Sequence, residues 1–248
     1  MTLHLEELDF QSTPIGDLLL RRRRMPELGD TDIYEVKLGE HWLMTSLFHE
    51  AEVQLAHKGL AAATGDKLDV IVGGLGLGYT AVAALENQNV ASLVIVDALE
   101  AVIGWHQQEI VPLGKVLNDD PRSCYLHDDF FALARDTTRS FNADQPDRRY
   151  HAILLDVDHT PTHNLAPANA HCYSEEGLRE LATHLHPGGV FALWADGVPE
   201  AAFTERLSAV FDEAQAHTIR FPNPITGDES TGAVYVATTT PIANPSAN

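Results

Sequence analysis

The chain has 248 residues, with 16 Lys and Arg against 36 Asp and Glu, and a formal charge of −20. Hydrophobic residues make up 44% and charged residues 21%, which excludes a disordered chain and suits one large α/β domain with a small appendage. The acidic balance excludes a phosphate-backbone binder, which needs clustered Lys and Arg on one face, so no nucleic-acid partner is expected. Two cysteines, Cys124 and Cys172, are too few for a disulfide framework or a Cys-rich zinc site, and a reducing cytoplasm is the natural location. No run of about 18 apolar residues offers a membrane span. The first residues carry acids where a signal peptide needs cations.

In chain order, residues 1–47 predict a small N-terminal β cap, with strands over 15–20, Asp32–Leu38 and His41–Thr45, turned at Gly16 and Gly39. The run Arg21-Arg22-Arg23-Arg24 would place about two guanidinium groups on each side of a strand. That favours a charge-blunted edge strand, or an interface element answering the acidic body, over a nucleic-acid handle. Residues 1–45 are too few to bury a core alone, so a homodimer involving this segment is expected. A helix over 50–63 leads into the second unit, residues 48–238, where the pattern becomes strands alternating with helices. The predicted strands are Leu68–Gly73, 92–97, Ser123–His127, 151–156 and 190–195. Helices are predicted over Tyr79–Glu86, 100–117, 130–137, 175–186 and 200–214. Two strands without an intervening helix, 216–221 and 233–238, close the pattern, and residues 239–248 form a tail. Continuous apolar runs such as Ala152-Ile153-Leu154-Leu155 fit strands buried on both faces of a parallel sheet.

The chemistry-bearing residues gather at predicted strand ends. Gly74, Gly76 and Gly78 follow the first strand of this unit and open a helix, a turn that lets the backbone approach a ligand closely. The phosphate-binding pattern G-x-G-x-x-G would need glycine at 79, which is Tyr79, so the turn points to a nucleoside rather than a dinucleotide. Asp97 ends the next strand, where an acid accepts hydrogen bonds from ribose hydroxyls. Asp128 and Asp129 end the third; one can meet an adenine amino group while the other caps the following helix, and Asp128 is favoured for the ligand. The fourth strand delivers Asp156-Val157-Asp158-His159 over the expected nucleoside. Asp156 is the candidate catalytic base.

On these residues the chain resembles the spermidine synthase (polyamine aminopropyltransferase) family over roughly residues 40 to 238. The family's glycine turn is similar to Gly73 to Gly78, and its ribose acid to Asp97. The stretch Asp120-Pro121-Arg122 through His127-Asp128 looks like its Arg-containing strand and adenine-contacting Asp. Tyr150 to Asp156 resembles the strand leading into its D-S-x-D motif, and Leu185 to Val190 its L-x-P-G-G turn. The resemblance implies an α/β fold with a Rossmann-like, seven-stranded, mostly parallel sheet closed by an antiparallel hairpin, as in AdoMet-dependent methyltransferases. It implies decarboxylated S-adenosylmethionine as co-substrate, aminopropyl transfer to a small-molecule amine, and oligomerisation through the N-terminal region. Asp158, His159 and Glu175 become candidates for holding the amine.

Two departures separate the chain from that pattern. Leu75 or Leu77 stands where the family places an Asp inside the glycine turn, and His159 replaces the second Asp of D-S-x-D. Methyl transfer from S-adenosylmethionine is the main alternative, and a non-catalytic relative a lesser one. Six of the thirteen histidines lie between 151 and 186. A loop pair four apart has no fixed facing geometry, so no metal site is expected.

Overall fold

The computed structural model describes residues 5–25, 28–29 and 31–240; the predicted tail beyond Thr240 and the first four residues lie outside this range. The first unit is an antiparallel meander of β1 (Leu5–Thr13), β2 (Gly16–Arg24), β3 (Asp32–Leu38) and β4 (His41–Thr45). Strand β1 is absent from the sequence prediction because its residues show no clean alternation, and most of them face solvent on both sides. Its presence corrects the edge-strand reading of the arginine run, since β2 lies between β1 and β3. Arg21 and Arg23 both bind Glu35, at 2.7 and 2.8 Å, while Arg22 binds Glu6 at 2.5 Å and Arg24 pairs with Asp32. The four cations thus knit three strands together, two on each face as strand geometry requires.

Helix α1 (Glu50–Ala62) joins this meander to a seven-stranded sheet. The sheet is built from β5 (Leu68–Gly73), β6 (Val90–Asp97), β7 (Ser123–His127), β8 (Tyr150–Leu155), β9 (Leu185–Asp196), β10 (Glu213–Pro222) and β11 (Glu229–Thr238). Its order is β7-β6-β5-β8-β9-β11-β10, parallel from β7 to β9 and antiparallel across β11 and β10. Alternate residues of β5 feed two cores. Val70 and Val72 pack on the side of α1, α2 (Tyr79–Glu86) and α3 (Glu100–Gln107), and Ile71 on the side of α5 (Phe130–Arg135), α6 (Glu175–Ala182) and α7 (Ala201–Ser208). Each such buried Val or Ile contributes about 1.5–3 kcal/mol of hydrophobic stabilisation.

Several element boundaries differ from expectation: helix α7 ends at Ser208, and β10 begins at Glu213, inside the helix expected over 200–214. The helix predicted over 100–117 is two helices, α3 and α4 (Gly114–Asp119), separated where Glu109 takes a left-handed φ of 59° ahead of Pro112. Strand β9 begins at Leu185, so α6 ends at Ala182, well short of residue 186. A 3-10 segment, Pro167–Tyr173, occupies a stretch given no element from sequence. Among the described residues no helix is long and apolar enough to cross a membrane.

The two units are pinned together. The Trp105 indole N–H, on buried α3, donates to Asp9 Oδ2 on β1 at 2.6 Å, next to an irregularity in the β1–β2 register between Glu7 and Asp9. An irregularity of that kind redirects a side chain without ending the strand.

Candidate active site

The site forms where β5, β6, β7 and β8 end, under the N-terminal meander. At Gly74, with φ 94°, a Cβ would stand 2.0 Å from the Asp156 carbonyl oxygen. Glycine there lets the ends of β5 and β8 come together, which brings the turn and Asp156 into one site. Asp97 clamps the turn from the next strand: Oδ2 accepts from the Leu75 N–H at 2.9 Å and Oδ1 from the Leu99 N–H at 2.8 Å. Burial pushes the Asp97 carboxyl up, against the pull of these backbone donors.

A narrow cavity of about 150 Å³ runs along this turn, with Gly74, Gly76, Asp97, Asp129 and Asp156 in its wall. Its remaining lining is apolar and comes from both units: Ile15, Val36, Leu38, Leu43 and Met44 of the meander face Val96, Leu99, Val102, Phe130 and Phe131. Of the adjacent acids, Asp129 takes both expected roles. Asp129 caps α5, accepting from the N–H groups of Phe131 and Ala132 at 2.8 and 3.3 Å, and it also lines the cavity. Asp128, favoured from sequence, accepts from the Asp129 N–H at 2.8 Å and is not part of the wall.

Asp156 Oδ2 accepts from the Thr80 hydroxyl at 2.6 Å, so the first turn of α2 fixes its carboxylate. Burial pushes its pKa up to about 6, with Thr80 acting in the opposite direction. Glu52, on α1, has its pKa pushed up to about 8 by burial first and then by the negative charge of Asp156, with Asp196 and Glu50 adding to it. The two carboxyls are coupled, and Glu52 is the one that burial and the charge of Asp156 keep protonated near neutral pH. Glu52 was missed from sequence, although a signal existed. Helix α1 buries Ala51, Glu52, Leu55, Ala56, Gly59 and Leu60, and Glu52 is the one acid on that face.

Beyond this pair opens a wider cleft of about 670 Å³. Its wall carries the acids Glu35, Glu52, Asp196 and Glu229, the aromatics Trp42, Phe48, Trp194 and Phe221, and His159. Leu43 and Met44 line both cavities, so the two spaces share a wall. Neither lining contains Lys or Arg among the described residues. The His159 ring stands 4.9 Å from that of His163 and 6.2 Å from that of His41. Burial and these two imidazoles lower its pKa, while Asp196 and Asp158 oppose them. Among the described residues no group of three His, Cys, Asp or Glu side chains could hold a metal ion.

Besides Asp128, three expected site residues are not brought there: Gly78, which lines neither cavity, and the acids Asp158 and Glu175. Asp158 is buried, accepting from the Leu165 N–H at 2.6 Å, Asn169 Nδ2 at 3.0 Å and the Tyr173 hydroxyl at 2.8 Å. It ties the loop after β8 to the 3-10 segment, leaving no place for an ammonium. Glu175 is solvent-facing at the start of α6, paired with Arg179 at 2.8 Å and absent from both cavity walls. Arg122 is likewise structural: it pairs with Asp120 at 2.7 Å and donates to the Leu85, Asn87 and Val90 carbonyls.

No protein-family model and no curated protein matches the chain. Solved structures do. A spermidine synthase in complex with the transition-state analogue AdoDATO superposes with a TM-score of 0.69 at 18% identity, over 94% of this chain and 73% of that one. The spermidine synthase from Thermotoga maritima superposes with a TM-score of 0.69 at 17% identity, over 94% and 72% of the respective chains. The likeness spans the meander as well as the seven-stranded sheet, and the fold is that of these proteins.

Proposed function

We propose, for a chain with the fold of spermidine synthases, that it transfers an aminopropyl group from decarboxylated S-adenosylmethionine to an amine. The observation that carries this reading is the meeting of two cation-free cavities at the Glu52–Asp156 pair. The narrow one would hold the adenosyl moiety, with Asp97 toward the ribose and Asp129 in the wall beside it. The wide one offers the carboxyls of Asp196 and Glu229 and the faces of Phe48, Trp194 and Phe221 to a cationic amine, while Glu35 and Trp42 are engaged by Arg21. A donor bearing a carboxylate would bring a negative charge to walls that already carry Asp97, Asp129 and Asp156 with no Lys or Arg to balance it.

In the reaction the lone pair of the amine nitrogen attacks the methylene carbon bonded to the sulfonium. An N–C bond forms, the C–S bond breaks, and its electron pair returns to sulfur, releasing neutral methylthioadenosine. A protonated amine has no lone pair, so a base must take its proton. Asp156 is held for that role by Thr80, beside Glu52, whose carboxyl keeps its own proton. Incubation with decarboxylated S-adenosylmethionine and a panel of amines should release methylthioadenosine. Release of adenosylhomocysteine from S-adenosylmethionine instead would assign methyl transfer.

The working form under this proposal is a homodimer. Leu5 and Phe10 on β1 are 56% and 52% exposed, and β1 is an open edge of the meander. Sedimentation at tens of micromolar should give twice the chain mass, and Phe10→Glu should shift it toward the monomer.

A further inference from the structure

Four of the five backbone N–H groups from Gly74 to Gly78 donate to an acceptor inside the protein. Gly74 donates to the Val96 carbonyl at 2.8 Å, and Gly78 to the Leu75 carbonyl at 2.8 Å. Leu75 donates to the Asp97 carboxylate at 2.9 Å, and the Gly76 N–H lies toward the same carboxylate, opposing the upward push of burial on its pKa. The remaining group, the Leu77 N–H, donates to Met44 Sδ at 3.0 Å. That sulfur arrives from β4 of the N-terminal meander, and only glycine at 76 admits it, since a Cβ there would stand 2.4 Å away.

The same peptide unit is held from its other side. The Gly76 carbonyl lies 3.0 Å from His106 Nε2, on α3. A carbonyl only accepts, so Nε2 carries the hydrogen. The His106 ring is wholly buried, and burial pushes its pKa down to about 4, which keeps the imidazole neutral at ordinary pH. Its Nδ1 has no partner, so this ring makes one side-chain hydrogen bond, and it is spent on the turn.

Proteins hold anionic groups at such turns with free backbone N–H groups, or with Lys and Arg nearby. Here four of the five N–H groups are taken, the fifth faces the Asp97 carboxylate, and Lys and Arg are missing from the cavity wall. We propose that Met44 and His106 clamp the Gly76–Leu77 peptide so that its N–H is not available to a carboxylate, making Met44 the residue that selects a donor without one. This rests on the nucleoside site proposed above. Met44 also lines both cavities, so the selecting sulfur stands where the tail of the donor would pass from one to the other.

The test compares two ligands that differ by one carboxylate, S-adenosylmethionine and its decarboxylated form, by calorimetry on the intact chain, with methylthioadenosine as a reference. Wild type should prefer the decarboxylated ligand by tenfold or more, an effect on the order of one lost charge-assisted contact. Met44→Leu removes the sulfur at similar volume and should narrow that ratio at least about threefold through tighter S-adenosylmethionine binding, as expected when one N–H is freed. Met44→Gln restores an acceptor and should return the ratio toward wild type. His106→Leu should weaken all three ligands, and His106→Gln, which keeps a donor, should recover them. A ratio identical in wild type and Met44→Leu overturns the role of Met44 while leaving the nucleoside site standing. If Met44→Leu does not fold, unchanged affinities for all three ligands in His106→Leu overturn the clamp. Failure of wild type to bind methylthioadenosine and both other ligands overturns the nucleoside reading and this inference with it.

Discussion

The two cavities that meet at Asp156 are built in opposite ways. The narrow one is largely a property of backbone: a glycine turn, helix caps and strand ends whose spacing along the chain is fixed by the βα units. The wide one is a property of side chains assembled from β3, β4, α1, β9 and the β10–β11 hairpin, residues separated by up to nearly two hundred positions. A backbone-built site is constrained by the geometry of its fold, whereas a side-chain-built one can change its contents by single substitutions. The contrast lets the backbone of the glycine turn stay fixed while the side chains of the wide cleft, His159 among them, change. It also assigns different work to the two sides, which substitutions can separate.

The largest effect is expected where the cavities join. Asp156→Asn should lower turnover by roughly 10²- to 10⁴-fold, the range for loss of a positioned base. Methylthioadenosine affinity should hardly change, because Asp97 and the turn remain. In wild type, activity should fall as the pH drops through about 6, where Asp156 takes up its proton. Equal losses of turnover and nucleoside affinity would erase the distinction between the two sides.

Next in size is the backbone-built side. Asp97→Ala removes the acceptor of the Leu75 and Leu99 N–H groups and should weaken methylthioadenosine by about 1–3 kcal/mol. Unchanged calorimetric affinity in a folded variant would remove Asp97 from the nucleoside site.

Much of the narrow cavity was readable in the amino-acid order, because a strand, a glycine turn and a terminal acid are neighbours in sequence as well as in space. That Asp129 both caps and faces the cavity was not, since either acid fits a cap and one rotation of the backbone decides which faces inward. Asp158 looked functional beside Asp156, yet successive residues after a strand diverge, and its three donors come from residues 165–173, which carried no predicted element. Glu52, Asp196, Trp194 and Met44 could not be associated with one another before the sheet order was known. The break in the helix after Gln107 was legible in principle from Pro112 and Gly114.

A third expected effect uses Glu52, which belongs to the side-chain-built side. Its carboxyl has an ordinary value of 4.5 and stands near 8 in the folded chain. The folded state therefore binds this proton more tightly than the unfolded one. The stabilisation it brings is complete below about 4.5 and is lost as the pH rises through about 8. Glu52→Gln should accordingly lose less Tm than wild type between neutral and alkaline pH, measured by thermal melts in matched buffers. Parallel Tm curves for the two proteins would mean that Glu52 is not held protonated by its surroundings.

The smallest effect tunes the contents of the wide cleft. The lowered pKa of His159 leaves a neutral imidazole with no charge to answer an ammonium of a diamine, so putrescine should be a poor acceptor and a monoamine or differently shaped polyamine a better one. His159→Asp should raise putrescine turnover by about two- to fivefold, the scale of a partly exposed ion pair. Brisk wild-type use of putrescine, unaffected by the substitution, would remove His159 from acceptor choice.

The bond between the Trp105 indole and Asp9 has a thermodynamic consequence. It straps β1 to α3, and the meander behind β1 supplies one wall of the narrow cavity. A ligand seated in that cavity binds only the docked arrangement, so its binding energy is returned as stability of the meander, growing with the logarithm of free ligand over Kd. Amide exchange in β3 and β4 should therefore slow with added methylthioadenosine, by the same factor that the ligand protects the turn. The N-terminal strands would then report occupancy of the site, and a severed strap, as in Trp105→Phe, would uncouple that report from the catalytic sheet.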